Sequence, residues 1–260
     1  MQTKRIADTV KFSQFDDTAN SARIYAAKDR PSFNPLIAHV ADMAAAQKLV
    51  QWNDWAEAMA AAFWPGPLTL VLPKQTDQAT GEPAVPGLVT AGLGRVGLRV
   101  PAHPVAQALL RDSGLALAAP SANRFGSISP TTAQHVADEL AGRVDFILDG
   151  GPCAQGVEST VVSVEDNVVT VLRLGATTIE QIEQALPGVA VHLARPTSDP
   201  GNASSETGSA PVSLGDAATD AALPSPGMTD RHYAPRTPLR LVTPGSSDEK
   251  GGGGLFQSGK

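Results

Sequence analysis

A single cysteine, Cys153, is the only thiol in 260 residues. No intramolecular disulfide can form, and the paired thiols of a zinc ribbon or a redox couple are excluded; a reducing cytoplasm is the expected setting. Positive charge is also in short supply. Twenty Lys and Arg stand against 26 Asp and Glu, a net charge of −6, which excludes a protein that coats nucleic acid by bulk electrostatics and leaves room only for a local basic groove. No stretch approaches the roughly 20 apolar residues of a membrane-spanning helix. The start, MQTKRIADTVKF, has no apolar core of signal-peptide length, so a soluble protein without a membrane partner is expected. The five histidines, His39, His103, His135, His192 and His232, have no spacing of the HExxH kind and no accompanying carboxylate cluster. A protein-held metal is therefore not expected, and His135 reads as a surface or partly buried side chain. No internal repeat is evident.

What is present is a globular composition. With 42% hydrophobic residues the chain can bury the core of one large domain with room for a second small piece. From Asp17 to Leu193 helical and strand patterns alternate at short intervals, the mark of an α/β layer structure. Helices are expected over 19–28, 42–52, 54–63, 104–112, 131–141 and 178–186, and strands over 68–73, 96–100, 115–119, 146–148, 159–164 and 168–172. The last two strands flank Glu165, Asp166 and Asn167 and read as an antiparallel hairpin, so the sheet is expected to be mixed. After Arg195 the composition turns to Ser, Gly, Ala, Thr and Asp, as in a flexible connector. This divides the chain into a main domain over 1–195, a linker over 196–224, and a terminal unit over 225–260 with one short strand over 239–242.

Two familiar motifs fail on context. Gly92, Gly94 and Gly97 spell GxGxxG, but LRVP follows where a dinucleotide site needs a helix. GPCAQGVES, residues 151–159, imitates a P-loop, yet Val157 and Glu158 stand where Lys and Ser or Thr are required.

The chemistry lies in scattered polar residues at element ends. In KDRPSFNPL, residues 28–36, Lys28 and Arg30 close an Ala-rich helical stretch, and Pro31 and Pro35 restrict the backbone behind them. An ammonium beside a two-pronged guanidinium suits adjacent phosphoryl groups, although cations in a last helical turn also answer the helix dipole. In APSAN, residues 119–123, Ser121 and Asn123 follow an apolar strand directly. Ligands in open α/β sheets gather at such strand ends; a plain turn and cap is the alternative. Arg99 in VGLRVP and Arg173 in VLRLG are flanked by apolar residues, where a charge needs an anionic partner, either an internal carboxylate or a ligand. Four separated cations and several hydroxyls on one concave face would equip a site for a nucleotide and an acid. In FWPGPLTLVLPK, residues 63–74, the aromatic pair and the prolines pin a turn before a buried strand, and Thr69 reads as core.

KDRPSFNPLIAHV, FWPGPLTLVLP, VGLRVPAHP, APSANRFGSISPT, GVESTVV, VLRLG and SPGMTDRHYAP occur in this order, and together they closely resemble the YrdC-like threonylcarbamoyl-AMP synthases. The long form is the nearest match, in which a linker carrying the SPGM and HYAP motif joins the YrdC-like domain to a small Rossmann-like C-terminal domain. The resemblance implies a twisted mixed α/β sheet with flanking helices and a concave basic face. It implies a reaction in which threonine, bicarbonate and ATP give threonylcarbamoyl-adenylate, pyrophosphate and water, for the threonylcarbamoyladenosine modification of tRNA. Magnesium would ride on the triphosphate, the partners would be tRNA and the downstream threonylcarbamoyl transferase complex, and double-stranded RNA binding and a cytoplasmic location belong to the same picture. Carried over residue by residue, the resemblance makes Lys28, Arg30, Ser121 and Asn123 catalytic. Arg30, Asn34, Arg95, Ser121, Ser129, Arg173, Arg231 and Tyr233 would hold ATP; His39, Arg99, Ala119 and Ser159 would hold threonine. Arg231, His232 and Tyr233 would fold back as a lid that keeps water from the labile adenylate.

The ends depart from the family pattern. Where members carry a strand and a segment like PTETVYGLG, this chain has IADTVKFSQFD, residues 6–16, in which only Thr9 and Val10 correspond. A sheet short of one edge element is therefore expected, and a C-terminal unit reduced to its first strand. Two other functions stay open beside the synthase: a noncatalytic RNA- or nucleotide-binding module on the same basic face, and a carbamoyl-transfer relative. The missing acylphosphatase-like and zinc-finger segments argue against the latter.

Overall fold

Short apolar runs become strands and capped runs become helices over most of the described chain. The computed structural model describes residues 18–76, 81–165 and 168–194, together with Pro226. In chain order the elements are α1 (Thr18–Lys28), β1 (Ile37–His39), α2 (Met43–Gln47), α3 (Asp54–Phe63), β2 (Leu68–Pro73), β3 (Arg95–Arg99), α4 (Pro104–Ser113), β4 (Leu117–Ala118), α5 (Ala133–Leu140), β5 (Thr160–Glu165), β6 (Val168–Arg173), α6 (Ile179–Ala185) and β7 (Ala190–Leu193). Asn53 caps α3 by accepting from the Ala56 N–H at 2.8 Å. Thr178 and Gln181 close a reciprocal capping box on α6, satisfying amides that the first turn leaves open. Among the described residues no helix is long and apolar enough to cross a membrane.

The seven strands form one mixed sheet in the order β4-β1-β3-β2-β5-β6-β7. β1 runs parallel to β3, β3 antiparallel to β2, β2 parallel to β5, and β5 antiparallel to β6. The hairpin expected over 159–172 is therefore present. β2 is buried from Leu68 to Leu72, as a central strand covered on both faces must be. β3 alternates: Val96 and Leu98 join the main core with Leu70, Val162 and Met59 of α3, while Arg95, Gly97 and Arg99 face the other side. On that second face Ile37, Val71 and Val161 form a smaller cluster. A Cβ on Gly97 would come within 3.2 Å of the Thr69 methyl, so the missing side chain makes room for Thr69, Val71 and Ile37 on the neighbouring strands.

Several expected elements come out differently. The helix expected over 42–52 stops at Gln47, because the backbone beyond it is claimed by β2: Val50 bridges Lys74 and the Gln51 amide bonds to the Pro73 carbonyl at 2.9 Å. The strand expected over 115–119 narrows to Leu117–Ala118. The strand expected over 146–148 is absent, and Phe146 and Leu148 are 57% and 56% exposed. That run was apolar enough for a strand, but no described strand lies beside it to take its backbone groups. β1 and β7 were not anticipated. β1 is only three residues long and starts two residues after Pro35, and β7 is mostly exposed, so neither shows a readable period. The strand expected over 239–242 and the stretch over 6–16 lie outside the described residues.

Candidate active site

The pairing pattern brings five strand ends to one edge of the sheet. The C-terminal ends of β1, β3 and β6 meet the N-terminal ends of β2 and β5 there, because β2 is antiparallel to β3 and β6 to β5. His39, Arg99 and Arg173 are the last residues of their strands, and Ser159 is the residue before β5. The edge thus collects side chains that are 134 positions apart in sequence between His39 and Arg173. α4 stands over this edge and contributes Ala106, Leu109 and Leu110 to the wall of a cavity of about 340 Å³.

The two cations of the KDR segment leave in different directions. Asp29 between them has φ 52, in the left-handed region, which costs a residue other than glycine about 1–2 kcal/mol. Its carboxylate accepts from Arg124 at 2.5 Å and from Arg143 at 3.1 Å, and these hydrogen bonds hold its pKa below the usual carboxylate range. Lys28 turns under the SAN loop, where its Nζ donates to the Ser121 carbonyl at 2.5 Å and to the Asn123 carbonyl. It is 4% exposed. Burial first and then the neighbouring Arg30 draw its pKa down to about 8, against the opposing pull of Glu139 and Glu158. The Phe125 amide returns to the Lys28 carbonyl at 2.8 Å, and the Asn123 amide donates to the Arg124 and Ser127 carbonyls at 2.9 and 2.8 Å. The loop is therefore braced through its backbone.

Arg30 is clamped from behind. Its Nε donates to the Asn34 carbonyl at 3.1 Å, and its Nη2 donates to Asn34 Oδ1 at 2.6 Å and the Pro35 carbonyl at 2.7 Å. Arg99 donates from Nε to the Gly66 carbonyl at 2.9 Å, and burial lowers its pKa against the pull of Glu158. Arg173 donates from Nη2 to the Ser159 carbonyl at 2.9 Å and to its hydroxyl at 3.0 Å, and from Nη1 to the Pro226 carbonyl at 3.3 Å. Ser159 Oγ also lies 2.9 Å from Thr69 Oγ1, so Thr69 is core, as expected, and fixes a cavity hydroxyl as well. His39 lines the cavity with a buried Nδ1 that has no partner. Burial, reinforced by Arg99, drives its pKa down to about 4, with backbone groups of Leu117 and Ile37 partly opposing, so the imidazole is neutral near pH 7.

A second cavity of about 490 Å³ adjoins the first and shares Arg99, Ser121, Glu158 and Ser159 with it. Ser129, Thr131, Phe146 and Leu148 belong to the second alone. Of the residues singled out in the sequence, Arg30, His39, Arg99, Ala119, Ser121, Ser159 and Arg173 line the first cavity, and Ser129 the second. Lys28, Asn34 and Asn123 are buried behind the walls. Arg95 stands apart: it begins β3, at the opposite edge of the sheet from Arg99, and pairs with Glu165 at the end of β5. Arg231, His232 and Tyr233 lie outside the described residues, whereas Pro226 of the same SPGM segment lines the cavity. Among the described residues no group of three or more His, Cys, Asp or Glu comes together.

Sequence reasoning missed Glu158, which lines both cavities. GVES was read as a failed P-loop and as part of a family motif in which only Ser159 was given a role, although a Glu directly before that serine was there to be read. Its place depends on Gly175, where a Cβ would meet the Glu158 carbonyl oxygen at 2.4 Å. That contact lets the Ala176 amide reach the same carbonyl at 3.0 Å.

These features define an α/β domain with an arginine-lined cavity at one sheet edge. The Sua5/YciO/YrdC family model, described as telomere recombination, matches residues 12–175, and the model of the threonylcarbamoyl-AMP synthase C-terminal domain matches residues 177–257. The chain belongs to the Sua5/YciO/YrdC family. It is 44% identical over 220 residues to the threonylcarbamoyl-AMP synthase of Bacillus subtilis, covering 84% of this chain and 56% of that one. It is 38% identical over 221 residues to the Pyrococcus abyssi threonylcarbamoyl-AMP synthase, covering 85% and 57%. The crystal structure of P. abyssi Sua5 complexed with L-threonine superposes with a TM-score of 0.69 at 38% identity, over 86% of this chain and 58% of that one. The chain thus spans just over half the length of these relatives.

Proposed function

We propose that this chain makes threonylcarbamoyl-adenylate from L-threonine, bicarbonate and ATP, with release of pyrophosphate. The observation that carries this is the convergence of Arg30, Arg99 and Arg173 on one cavity beside the Lys28-braced SAN loop. The chemistry has two parts. The amine of threonine bonds to the bicarbonate carbon with loss of water, giving a carbamate; a carbamate oxygen then attacks the α-phosphorus of ATP and pyrophosphate leaves. Bicarbonate, ATP, the carbamate, the adenylate and pyrophosphate are all anionic, so what accelerates both parts is fixed positive charge and alignment, not a nucleophile.

Arg99 offers its free edge to the threonine carboxylate, and His39 and Ser159 line the amino-acid side. Arg30 and Arg173 neutralise phosphate and carbamate oxygens, the Ser121 hydroxyl faces both cavities, and Ser129 takes the nucleotide in the second. Lys28, Asn34 and Asn123 act from behind by holding the loop and Arg30 in place, and Arg95 has no direct part at this edge. Magnesium arrives with the triphosphate as part of that substrate. The segment with Arg231, His232 and Tyr233 closes over the cavity, in line with the Pro226–Arg173 contact. We assign a cytoplasmic setting, and tRNA as the duplex RNA partner, which receives the threonylcarbamoyl group through a transferase.

The test is to incubate the chain with ATP, magnesium, bicarbonate and threonine, with serine and no-amino-acid controls. Threonine-dependent pyrophosphate and the adenylate are expected. A folded protein that binds ATP and forms neither, while binding tRNA in a strongly salt-dependent way, overturns the synthase in favour of a binding module.

A further inference from the structure

The cavity has an imbalance that threonine alone would expose. An amino acid enters as a zwitterion, and the cations of the cavity serve its carboxylate, but its ammonium needs an acceptor. Glu158 is the only carboxylate among the described residues lining either cavity, and it lines both. His39 supplies no negative charge. Glu158 sits within reach of the other groups: its Oε1 accepts from Ser129 Oγ at 2.5 Å and its Oε2 lies 3.8 Å from Arg173 Nη2. The side chain is 26% exposed, so it is open to a ligand yet partly desolvated. Its backbone is pinned by the Gly175 and Ala176 contacts, which limits where the carboxylate can point.

We infer that Glu158 receives the α-ammonium group of the amino acid and takes one of its protons as the nitrogen bonds to the bicarbonate carbon. This rests on the synthase reading above. In going from ammonium to carbamate the nitrogen loses two protons: one leaves with the hydroxide expelled from bicarbonate as water, and the other passes to Glu158. Ser129 and Arg173 are then positioning groups that aim the carboxylate across the boundary between the cavities.

The experiment compares two ligands on the full chain by titration calorimetry: L-threonine, and 3-hydroxybutyrate, which keeps the carboxylate and hydroxyl and lacks the ammonium. Wild type is expected to bind threonine about tenfold or more tightly, a single charge-assisted contact. Glu158→Gln should lose that preference while holding 3-hydroxybutyrate within about twofold, and Glu158→Asp should restore part of it. Product formation by Glu158→Gln should fall at least about 100-fold, the usual range for a proton acceptor, with ATP binding retained. Equal weakening of both ligands would make Glu158 a brace for Arg173 and overturn the inference, as would an unchanged preference. A wild type that forms no product overturns the synthase reading separately, and the two-ligand comparison still decides Glu158.

Discussion

Raising the pH from 7 to 10.5 should move stability and activity in opposite directions through one group, Lys28. Lys28 is 4% exposed, and the pKa of its ammonium is drawn from 10.5 down to about 8, chiefly by burial. Below about 8 folded and unfolded chains both keep the proton; between about 8 and 10.5 only the unfolded chain keeps it, so the folded state gains stability as pH rises. At about 1.4 kcal/mol per pH unit, the span is worth about 3 kcal/mol. Activity runs the other way: kcat/KM for ATP should fall above pH 8, because the loop loses its charged donor and the site a positive charge. Lys28→Met isolates both effects. It leaves two buried carbonyls without a partner, at about 1–3 kcal/mol each, but removes a buried charge that costs about 3 kcal/mol. The variant should therefore lie between about 1 kcal/mol more stable and 3 kcal/mol less stable than wild type at pH 7, with activity down at least about 100-fold. Urea unfolding and pyrophosphate release, each from pH 7 to 10.5, measure the two. A wild-type-minus-variant stability difference that stays flat or falls over pH 8–10.5, or a kcat/KM that holds to pH 9.5, would refute this account of Lys28.

Acid should destabilise the fold through His39, whose pKa of about 4 lies below the ordinary 6.5. The unfolded chain takes up the proton first, so stability drops as pH falls from 6.5 to 4, and His39→Asn should flatten urea midpoints over that window. Gly175→Ala places a methyl within 2.4–2.5 Å of the backbone of Glu158, Ser159 and Thr160. A loss of about 3 kcal/mol or more is expected, read as a lowered Tm, and an unchanged Tm would show that the β5–β6 junction can give way. Thr69→Val removes the hydroxyl 2.9 Å from Ser159 Oγ and should raise KM for threonine with about 1–3 kcal/mol lost from stability, while Thr69→Ser keeps both. Arg95→Gln breaks a half-exposed pair with Glu165 far from the cavity, so stability should change by less than about 1 kcal/mol and KM for ATP not at all; a rise in KM would return Arg95 to the nucleotide site.

Much of the architecture follows from local patterns. Leu68–Pro73 and Asp54–Phe63 appear with the bounds the sequence implied, since an all-apolar run between turn residues and an Asn-capped helix are decided by near neighbours. The cations and hydroxyls of the site were also legible, because charge inside an apolar strand, as at Arg99 and Arg173, needs an anion wherever the strand lies. Arg30, Arg99, Ser121 and Arg173, singled out from the residues themselves, line the first cavity, together with His39, Ala119 and Ser159, which only the family resemblance supplied. Local pattern could not tell a wall from a brace. Lys28, Asn34 and Asn123 carry the polar groups expected of a binding site, yet they face loop backbone and Arg30, which depends on the turn at Asp29 and on where the SAN loop crosses α1. Nor could it separate Arg95 from Arg99: they share a strand and a face, and only the pairing of β3 with β2 and β1 puts one at the cavity edge and the other at the far edge. Composition and short-range pattern thus determined the layer class, the main helices and the supply of anion-binding groups. Strand order and register, which are set by contacts between residues distant in sequence, decided which of those groups meet and brought Glu158 among them.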